Sequence, residues 1–520
     1  MFYDGRSIEN GGLIEADLCI LGAGAAGLTI AQEFTSKNSK VALIESGSLE
    51  FEDDTQALYE GEDEDIGLGD TRLRYFGGST NCWHGRCAPL DKTDFEKRDW
   101  VPNSGWPISR DDLVPFYRRA CDLLHLGSFD QFHIKDWETK LFPGQFFRKI
   151  KSVDSKFLGI PFFRAEEPFL RFGPRFANPL KQDKNISVYL NSNVVEIETD
   201  EQTTAVQNVK IATIEGKEFS VRAKNYVLSL GGIENPRLLL SSNSIAPQGI
   251  GNNYDCVGRY FMDHSFTDMS QIFYSNEKFC FDEEVLQAPA GELFFRPNEQ
   301  TQIDEGLLNA GIYLSGISTR SERAFIRFGH DIKRGNISSR LGEQILHMSE
   351  DIGGLAHNAA CLVQGKRAPY GMWGVMVQAE QPPHRDNRVT LGNSRDALGM
   401  RKLKVKREMR EIERHSVLRI NEMFAMEIMR RGLGRVHQNH DYEDGRIFQK
   451  GVVDSQFGHD MGTTRMSSNP KEGVVDINCQ VHGISNLYIG GSSVFPTGGF
   501  ANPTLTIIAL ALRIADKLKK

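Results

Sequence analysis

The chain has 520 residues, of which 40% are hydrophobic and 25% are charged, and its formal net charge is −8. This length exceeds one simple core and predicts a globular protein of two or three lobes. The acidic balance argues against nucleic acid as the main partner and mildly against a highly anionic substrate. No apolar run reaches the roughly 18 residues needed to cross a bilayer, so we expect no membrane span.

The start of the chain lacks a basic stretch followed by an apolar core, which predicts the absence of a secretory signal. The eight cysteines are scattered and form no C-x-x-C pair. Such spacing is more typical of free thiols in a reducing compartment than of disulfides or a zinc site. We therefore expect a cytoplasmic protein, and no metal, because no histidine set has ligand spacing.

A glycine turn is the first motif along the chain. Residues 17–21 predict a buried strand, a helix is expected from about Ala25 to Ser36, and residues 41–45 predict a second strand. Backbone N–H groups at such a turn suit a pyrophosphate, and a carboxylate at the end of the second strand suits a ribose hydroxyl. The alternative is tight helix–strand packing without a nucleotide. The predicted dinucleotide contacts are Gly22, Gly24, Ala25, Ala26, Gly27 and Glu45.

The loop over residues 72–85 combines glycines, small hydroxyls, an amide and aromatic side chains. Such a loop can approach a flat ring and hydrogen-bond its edge, which favours FAD over NAD. Residues 229–237 have a similar pattern, and each segment could instead be an ordinary turn or helix start. The acidic residues 50–65 predict a solvated loop, with a mobile lid as the alternative. The flavin contacts predicted in the first loop are Arg74, Gly78, Ser79, Asn81, Cys82 and Trp83.

The rest of the chain predicts a discontinuous arrangement. A helix is expected to begin at Ser109, short strands occupy residues 186–228, and residues 406–432 form a long amphipathic helix pattern. Residues 266–400 mix strand patterns with loops. We therefore assign an FAD-binding domain to residues 1–90, 180–265 and 455–520. A substrate-binding domain is assigned to residues 91–179 and 266–454.

Two C-terminal segments carry side chains suited to alcohol oxidation. His459 lies in Gly-His-Asp-Met-Gly-Thr-Thr-Arg-Met, and Asn502 lies in Ala-Asn-Pro-Thr-Leu-Thr. A neutral histidine can take the proton of an alcohol as hydride leaves its carbon, and an amide can donate to the same oxygen. Asn502 also fits a helix N-cap with Pro503 at the first helical position, which predicts a helix from Pro503 to about Lys517.

Together, residues 17–45, 72–90, 225–264 and 455–517 resemble the glucose–methanol–choline (GMC) oxidoreductase family. The glycine loop and the Asn-Pro-Thr-Leu-Thr segment are most similar to the pyranose oxidase and sugar 3-oxidase branch. The resemblance implies an α/β fold, with a Rossmann-like FAD-binding lobe and an inserted antiparallel-sheet substrate lobe. It also implies His459 and Asn502 as the catalytic pair, and further cofactor contacts at Val195, Gly491, Asn502 and Thr504.

Some members of this branch attach FAD covalently through a histidine just before the tryptophan of the glycine loop. Here that position is Cys82, followed by Trp83, so we predict non-covalent FAD, with a Cys82 thioether as the alternative. His84 is expected to be a hydrogen-bonding neighbour of the flavin. His264 lies in a matched block and is expected to have a packing or hydrogen-bonding role.

The expected substrate is a small-molecule alcohol, most plausibly a secondary hydroxyl of a sugar or glycoside. Alternatives are a sterol or aromatic alcohol, a non-redox lyase that keeps FAD, and a flavin-binding structural protein. The motifs leave open whether dioxygen, a quinone or another acceptor reoxidises the flavin, and whether the protein forms a homo-oligomer. Candidate pocket residues in the inserted lobe are Trp373, Gln378, Gln381, His384 and Arg327.

Overall fold

The computed structural model describes residues 1–62, 68–132, 156–165, 171–274, 291–317, 324, 341–349, 356, 372–432, 434–438 and 458–520. The strands of these residues are β1 (Phe2–Asp4), β2 (Gly12–Leu21), β3 (Val41–Ile44), β4 (Arg86–Cys87), β5 (Phe157–Arg164), β6 (Ile186–Leu190), β7 (Asn193–Thr199), β8 (Val206–Ala212), β9 (Glu218–Leu228), β10 (Ser265–Tyr274), β11 (Gly291–Pro297), β12 (Ala310–Ile317), β13 (Met372–Ala379), β14 (Arg388–Arg395), β15 (Arg401–Lys406), β16 (Gly434–Gln438) and β17 (Leu487–Ile489). The α-helices are α1 (Ala25–Glu33), α2 (Asp53–Gln56), α3 (Lys92–Phe95), α4 (Arg110–Leu124), α5 (Phe172–Gln182), α6 (Gly231–Ser241), α7 (Glu299–Glu305), α8 (Leu341–Ser349), α9 (Glu411–Arg430) and α10 (Thr504–Leu518).

The first lobe is built on a sheet of order β1-β6-β3-β2-β9-β8-β7, with β17 also paired to β9. The strands from β1 to β9 in this order, and β17, pair in parallel, whereas β7 and β8 join in antiparallel fashion. The last four residues of β2 and all of β3 are buried, as expected for parallel strands covered on both faces. Helix α1 packs against this sheet and against α10, which also contacts α4.

The second lobe is an antiparallel sheet of order β16-β10-β13-β12-β11-β5-β4. Helix α9 packs on it through contacts with β10, β12, β13 and β16. Aromatic rings fill the interior of this lobe; for example, the Phe162 and Phe294 ring centroids are 4.2 Å apart. A separate hairpin of β14 and β15 packs against α6.

The architecture confirms the predicted fold class. The helix expected at Ser109 is α4, whose N-cap is Ser109 in a reciprocal capping box with Asp112. The short strands predicted over residues 186–228 are β6 to β9. Helix α1 ends at Glu33, three residues before the expected Ser36, because the chain leaves the helix at Phe34. The domain limits stay a prediction.

The acidic segment differs from the solvated loop that we expected. Its residues 53–56 form α2, and a one-turn 3₁₀ helix follows directly. Glu62 accepts hydrogen bonds from the backbone of Asn393 and Ser394 and pairs with Lys404 at 3.3 Å. The described part is therefore docked on the β14–β15 hairpin through its carboxylates. Residues 63–67 of the segment lie outside the described residues.

Candidate active site

The glycines of the turn between β2 and α1 meet different steric demands. Gly22 has φ +98°, a conformation that favours glycine. A Cβ on Gly27 would lie 1.9 Å from the Gly22 carbonyl oxygen, so this glycine permits close packing of α1 on the turn. A Cβ on Gly24 would meet nothing within 4 Å. Gly24 caps α1 without a side-chain hydrogen bond, which leaves the first N–H groups of the helix to a ligand.

One cleft of about 510 Å³ extends from this turn to the C-terminal motifs. Its walls come from the turn, the loop over residues 70–86, the start of α6, residues 458–460 and the start of α10. The cleft brings together most of the predicted site residues, namely Gly22, Gly24, Ala25, Ala26, Glu45, Arg74, Gly78, Ser79, Cys82, Trp83, His459, Gly491, Asn502 and Thr504. The two ends of the chain therefore meet at one site.

Three predicted cofactor residues do not line the cleft. Gly27 lies beneath the turn, as its packing shows. Asn81 supports the glycine loop from inside, because its amide donates to the Phe76 carbonyl at 3.0 Å. Val195 lies in β7 next to Val194, and it is Val194 that lines the cleft. The pairing of β7 with β8 is irregular between Val194 and Glu196, so simple alternation along the strand does not tell which of the two valines faces the cleft.

A buried cluster of charges forms the wall beside Arg74. The guanidinium groups of Arg72 and Arg74 lie 4.1 and 4.8 Å from the ring centroid of Tyr59. Glu234 accepts from Arg72, Arg74 and Arg237 at 3.3, 3.5 and 3.2 Å. Burial alone raises the pKa of Glu234, but these arginines outweigh it and lower the pKa to about 2. Tyr59 lines the cleft and was missed, since nothing in its acidic segment distinguishes it.

The polar groups at the glycine end fit FAD. The Glu45 carboxylate accepts from the backbone N–H groups of Ala23 and Gly47 at 2.8 and 2.9 Å, and burial raises its pKa. The Ser229 hydroxyl lines the cleft, is buried and has no hydrogen-bond partner in the described structure. A helix N-terminus, a buried carboxylate and an unsatisfied hydroxyl on one wall suit a pyrophosphate and a ribose.

His459 also lines the cleft. Its backbone N–H donates to Asp263 at 3.1 Å, and its Nδ1 lies 2.7 Å from Nδ1 of His264. Burial lowers the pKa of His459 to about 4. Burial, and next the neighbouring His459, lower the pKa of His264 to about 3. Both imidazoles are therefore neutral near pH 7.

The Asn502 side chain is held by hydrogen bonds to groups outside the helix that follows it. Its Oδ1 accepts from Gln378 at 3.0 Å, and its Nδ2 donates to the Arg86 carbonyl at 3.4 Å. Helix α10 begins at Thr504 with Pro503 as its N-cap, so the interpretation of Asn502 as the N-cap is wrong by one residue. The amide instead joins the second lobe to the cleft.

Of the candidate pocket residues from the inserted lobe, Gln378 lines the cleft, while Trp373, Gln381 and His384 are not among its lining residues. Arg327 lies outside the described residues. Asp460 also lines the cleft and was not predicted; burial raises the pKa of its carboxyl to about 7. Its position next to His459 in the sequence could have indicated that it lines the cleft.

Within the described ranges, no group of three histidine, cysteine or acidic side chains could hold a metal ion. No helix among the described residues has the length and apolarity to cross a membrane. Six cysteines of the described part are free thiols, and Cys280 and Cys361 lie outside it. Cys82 lines the cleft, and its thiol donates to the Ser79 carbonyl at 3.4 Å. Burial raises the pKa of the Cys82 thiol, which lowers its reactivity near neutral pH.

Comparison with known proteins finds similarity to the same family in part of the chain. Residues 383–511 match the family model described as GMC oxidoreductase. The fructose dehydrogenase large subunit of Gluconobacter japonicus is 28% identical over 330 residues, which cover 63% of this chain and 53% of the relative. The C-glycoside 3-oxidase of Arthrobacter globiformis is 43% identical over 61 residues, which are 12% of each chain.

The fold also matches a solved structure along nearly its whole length. Pyridoxine 4-oxidase from Mesorbium loti superposes with a TM-score of 0.57 at 16% identity, and covers 96% of this chain and 98% of its own. At this identity the likeness concerns the fold alone. The chain spans about half the length of the fructose dehydrogenase subunit, at 53%. The matched C-terminal region, the curated relatives and the fold all agree with the resemblance to the GMC oxidoreductase family that the sequence motifs indicate.

Proposed function

We propose that this protein is an FAD-dependent oxidoreductase that removes a hydride from a CH–OH group, with His459 as the general base. The observation that carries the proposal is the single cleft that joins the glycine turn to a neutral histidine. FAD is the expected cofactor of the family, and when bound it supplies the hydride acceptor. Non-covalent attachment stays a prediction.

The task of His459 is to remove the hydroxyl proton of the substrate. An alcohol gives up hydride more readily as its oxygen loses the proton, so a base beside that oxygen lowers the barrier. A positioned general base contributes roughly 10²–10⁴-fold, or about 3–5 kcal/mol. Burial keeps His459 unprotonated, because an imidazolium loses hydration in the cleft wall.

Asn502 is proposed to orient the substrate oxygen. Its Oδ1 accepts from Gln378 and one Nδ2 hydrogen points to the Arg86 carbonyl, which fixes the amide so that the second Nδ2 hydrogen is the donor for the substrate. An amide N–H can donate to an alcohol oxygen without competing for the proton that His459 removes. Gln378 and Asn502 both line the cleft, so the antiparallel sheet sets the position of the donor.

A secondary hydroxyl of a sugar or glycoside is the proposed substrate class. Two observations support it: relatives named for fructose and for C-glycosides, and polar cleft residues from the second lobe and the C-terminus, such as Gln378 and Asp460. Hydroxyl-rich ligands require several such donors and acceptors. The acceptor that reoxidises the flavin is dioxygen, a quinone or another compound.

Anaerobic mixing of the purified yellow protein with a panel of alcohols tests the proposal. The panel contains monosaccharides, glycosides, simple diols, an aromatic alcohol and a sterol, and flavin absorbance is followed. We expect bleaching by at least one sugar or glycoside. Bleaching only by the aromatic alcohol or the sterol would contradict the substrate class. No bleaching by any alcohol would refute the redox function and favour a lyase or a flavin-binding structural protein.

A further inference from the structure

Two histidines distant in sequence form a direct hydrogen bond at the wall of the cleft. His264 and His459 approach through their Nδ1 atoms at 2.7 Å, with their rings nearly perpendicular at 86°. His264 is completely buried just before β10 and is not among the residues that line the cleft. Any influence of His264 on the cleft is therefore transmitted through its contact with His459.

The partners of His264 determine which nitrogen of each ring carries a proton. Nε2 of His264 lies 2.8 Å from the Gly499 carbonyl oxygen, and a carbonyl only accepts hydrogen bonds, so this Nε2 carries hydrogen. A neutral imidazole has one N–H donor and one acceptor, which makes Nδ1 of His264 an acceptor. The short Nδ1···Nδ1 contact then requires Nδ1–H on His459.

The backbone on both sides of this contact is fixed by buried groups. Asp263 Oδ1 accepts from the backbone N–H groups of His264 and His459 at 2.7 and 3.1 Å. The Gly499 N–H donates to Glu380 at 3.2 Å, and Glu380 forms a buried ion pair with Arg98. The acceptor carbonyl of Gly499 and the backbone of both histidines are thus anchored, as a defined tautomer requires.

We propose that His264 is a positioning residue that holds His459 as its Nδ1–H tautomer, so that Nε2 of His459 carries the lone pair that accepts the substrate proton. The proton-accepting part rests on the proposed function. In the opposite tautomer Nε2 already holds a hydrogen, and His459 cannot act as a base through that atom. Groups that orient metal-ligating histidines typically contribute 10–100-fold, and we expect an effect of that size for His264.

Two substitutions distinguish the hydrogen-bond acceptor of His264, Nδ1, from its donor, Nε2, and from the volume of its side chain. In His264→Asn, the side-chain oxygen takes the place of Nδ1 and can still accept from His459. In His264→Gln, the amide reaches toward Gly499 and leaves the Nδ1 position without an acceptor. His482→Asn is the matched control, because His482 also contacts a backbone carbonyl, that of Ser467 at 2.9 Å, and does not line the cleft.

Stopped-flow reduction by the alcohol that bleaches the wild-type flavin fastest gives the kinetic result. We expect His264→Gln to lose about 10- to 100-fold in the limiting reduction rate with little change in substrate Kd, and His264→Asn to recover at least half of that loss on a logarithmic scale. The control should match wild type. Equal losses in the Asn and Gln variants, or a loss expressed only in Kd, would overturn the proposal.

Nitrogen-15 NMR of the histidine-labelled holoenzyme reads the tautomer without any substrate. The His459 signals, assigned by their loss in His459→Ala, should show a protonated Nδ1 and an unprotonated Nε2. A protonated Nε2 on His459 overturns the proposal. This arm is independent of the alcohol panel, so the tautomer can be established even where the panel refutes the redox function.

Discussion

Gly24→Ala separates cofactor binding from folding, because the structure assigns the glycines of the turn different tasks. A Cβ at Gly24 meets no protein atom within 4 Å, and φ there is −87°, so alanine fits the fold. Gly24 lines the cleft at the N-terminus of α1, so the added methyl group occupies space that the pyrophosphate needs. Gly27→Ala is the contrasting change, because its Cβ would lie 1.9 Å from a backbone oxygen.

The expected magnitudes follow from those contacts. Loss of one charge-assisted hydrogen bond costs about 1.5–3 kcal/mol, so Gly24→Ala should weaken FAD binding about 10- to 150-fold. Its apoprotein should be less stable than wild type in urea by about 1 kcal/mol, since glycine is preferred to alanine at an N-cap. Gly27→Ala should instead destabilise the apoprotein by about 1–3 kcal/mol or more through overpacking.

Fluorescence titration of each apoprotein with FAD, together with urea denaturation, measures both quantities. Wild-type FAD affinity in Gly24→Ala would refute the assignment of the turn as the pyrophosphate site. An apoprotein of Gly24→Ala as unstable as that of Gly27→Ala would refute the division of tasks between the two glycines.

Three further predictions follow from the described contacts. Glu380→Gln leaves the buried Arg98 cation without its ion-pair partner and should lower the free energy of unfolding in urea by about 3–5 kcal/mol. The control Glu96→Gln removes only an exposed pair with Lys92 and should change the free energy of unfolding by less than about 1 kcal/mol. Equal losses in the two variants would contradict the reasoning. Burial lowers the pKa of His459 to about 4, so the base is unprotonated above that pH. The flavin reduction rate should therefore fall about tenfold per pH unit only below about pH 4. A fall of that slope that begins at pH 6.5 would show that the imidazole is solvated. Acid precipitation of the wild-type protein should release FAD into the supernatant, and the native Cys82→Ser variant should still bind its flavin. Yellow colour that stays in the acid pellet of wild type and is absent from the pellet of the variant would establish a covalent linkage through Cys82.

Local sequence patterns sufficed for the parts of the site that depend on neighbouring residues. The glycine turn was predictable because the positive φ of Gly22 and the close approach at Gly27 both exclude a side chain. The helix start at Ser109 was predictable because both partners of its capping box, Ser109 and Asp112, lie within one turn of the helix. The motifs of His459 and Asn502 indicated their chemistry through the residues beside them.

Contacts between distant segments could not be predicted from one sequence. His264 and His459 are separated by 195 residues, and no local pattern indicates that their rings meet. Tyr59 lines the cleft with Arg72 and Arg74 over its ring, a contact between segments that no local pattern indicates. The resemblance implied Val195, whereas Val194 lines the cleft; an irregularity in the strand pairing between Val194 and Glu196 interrupts the alternation that would assign the two sides of the strand.

The rate of flavin reduction in His459→Ala tests the central claim most directly. The measurement is anaerobic, in a single turnover, with the alcohol that reduces the wild-type enzyme fastest, and His415→Ala, an exposed position on α9, serves as the control. We expect His459→Ala to lose roughly 10²–10⁴-fold with its FAD still bound, and the control to match wild type. Reduction of His459→Ala at the wild-type rate would contradict the account, because the histidine that shares the cleft with the glycine turn would then have no part in the chemistry.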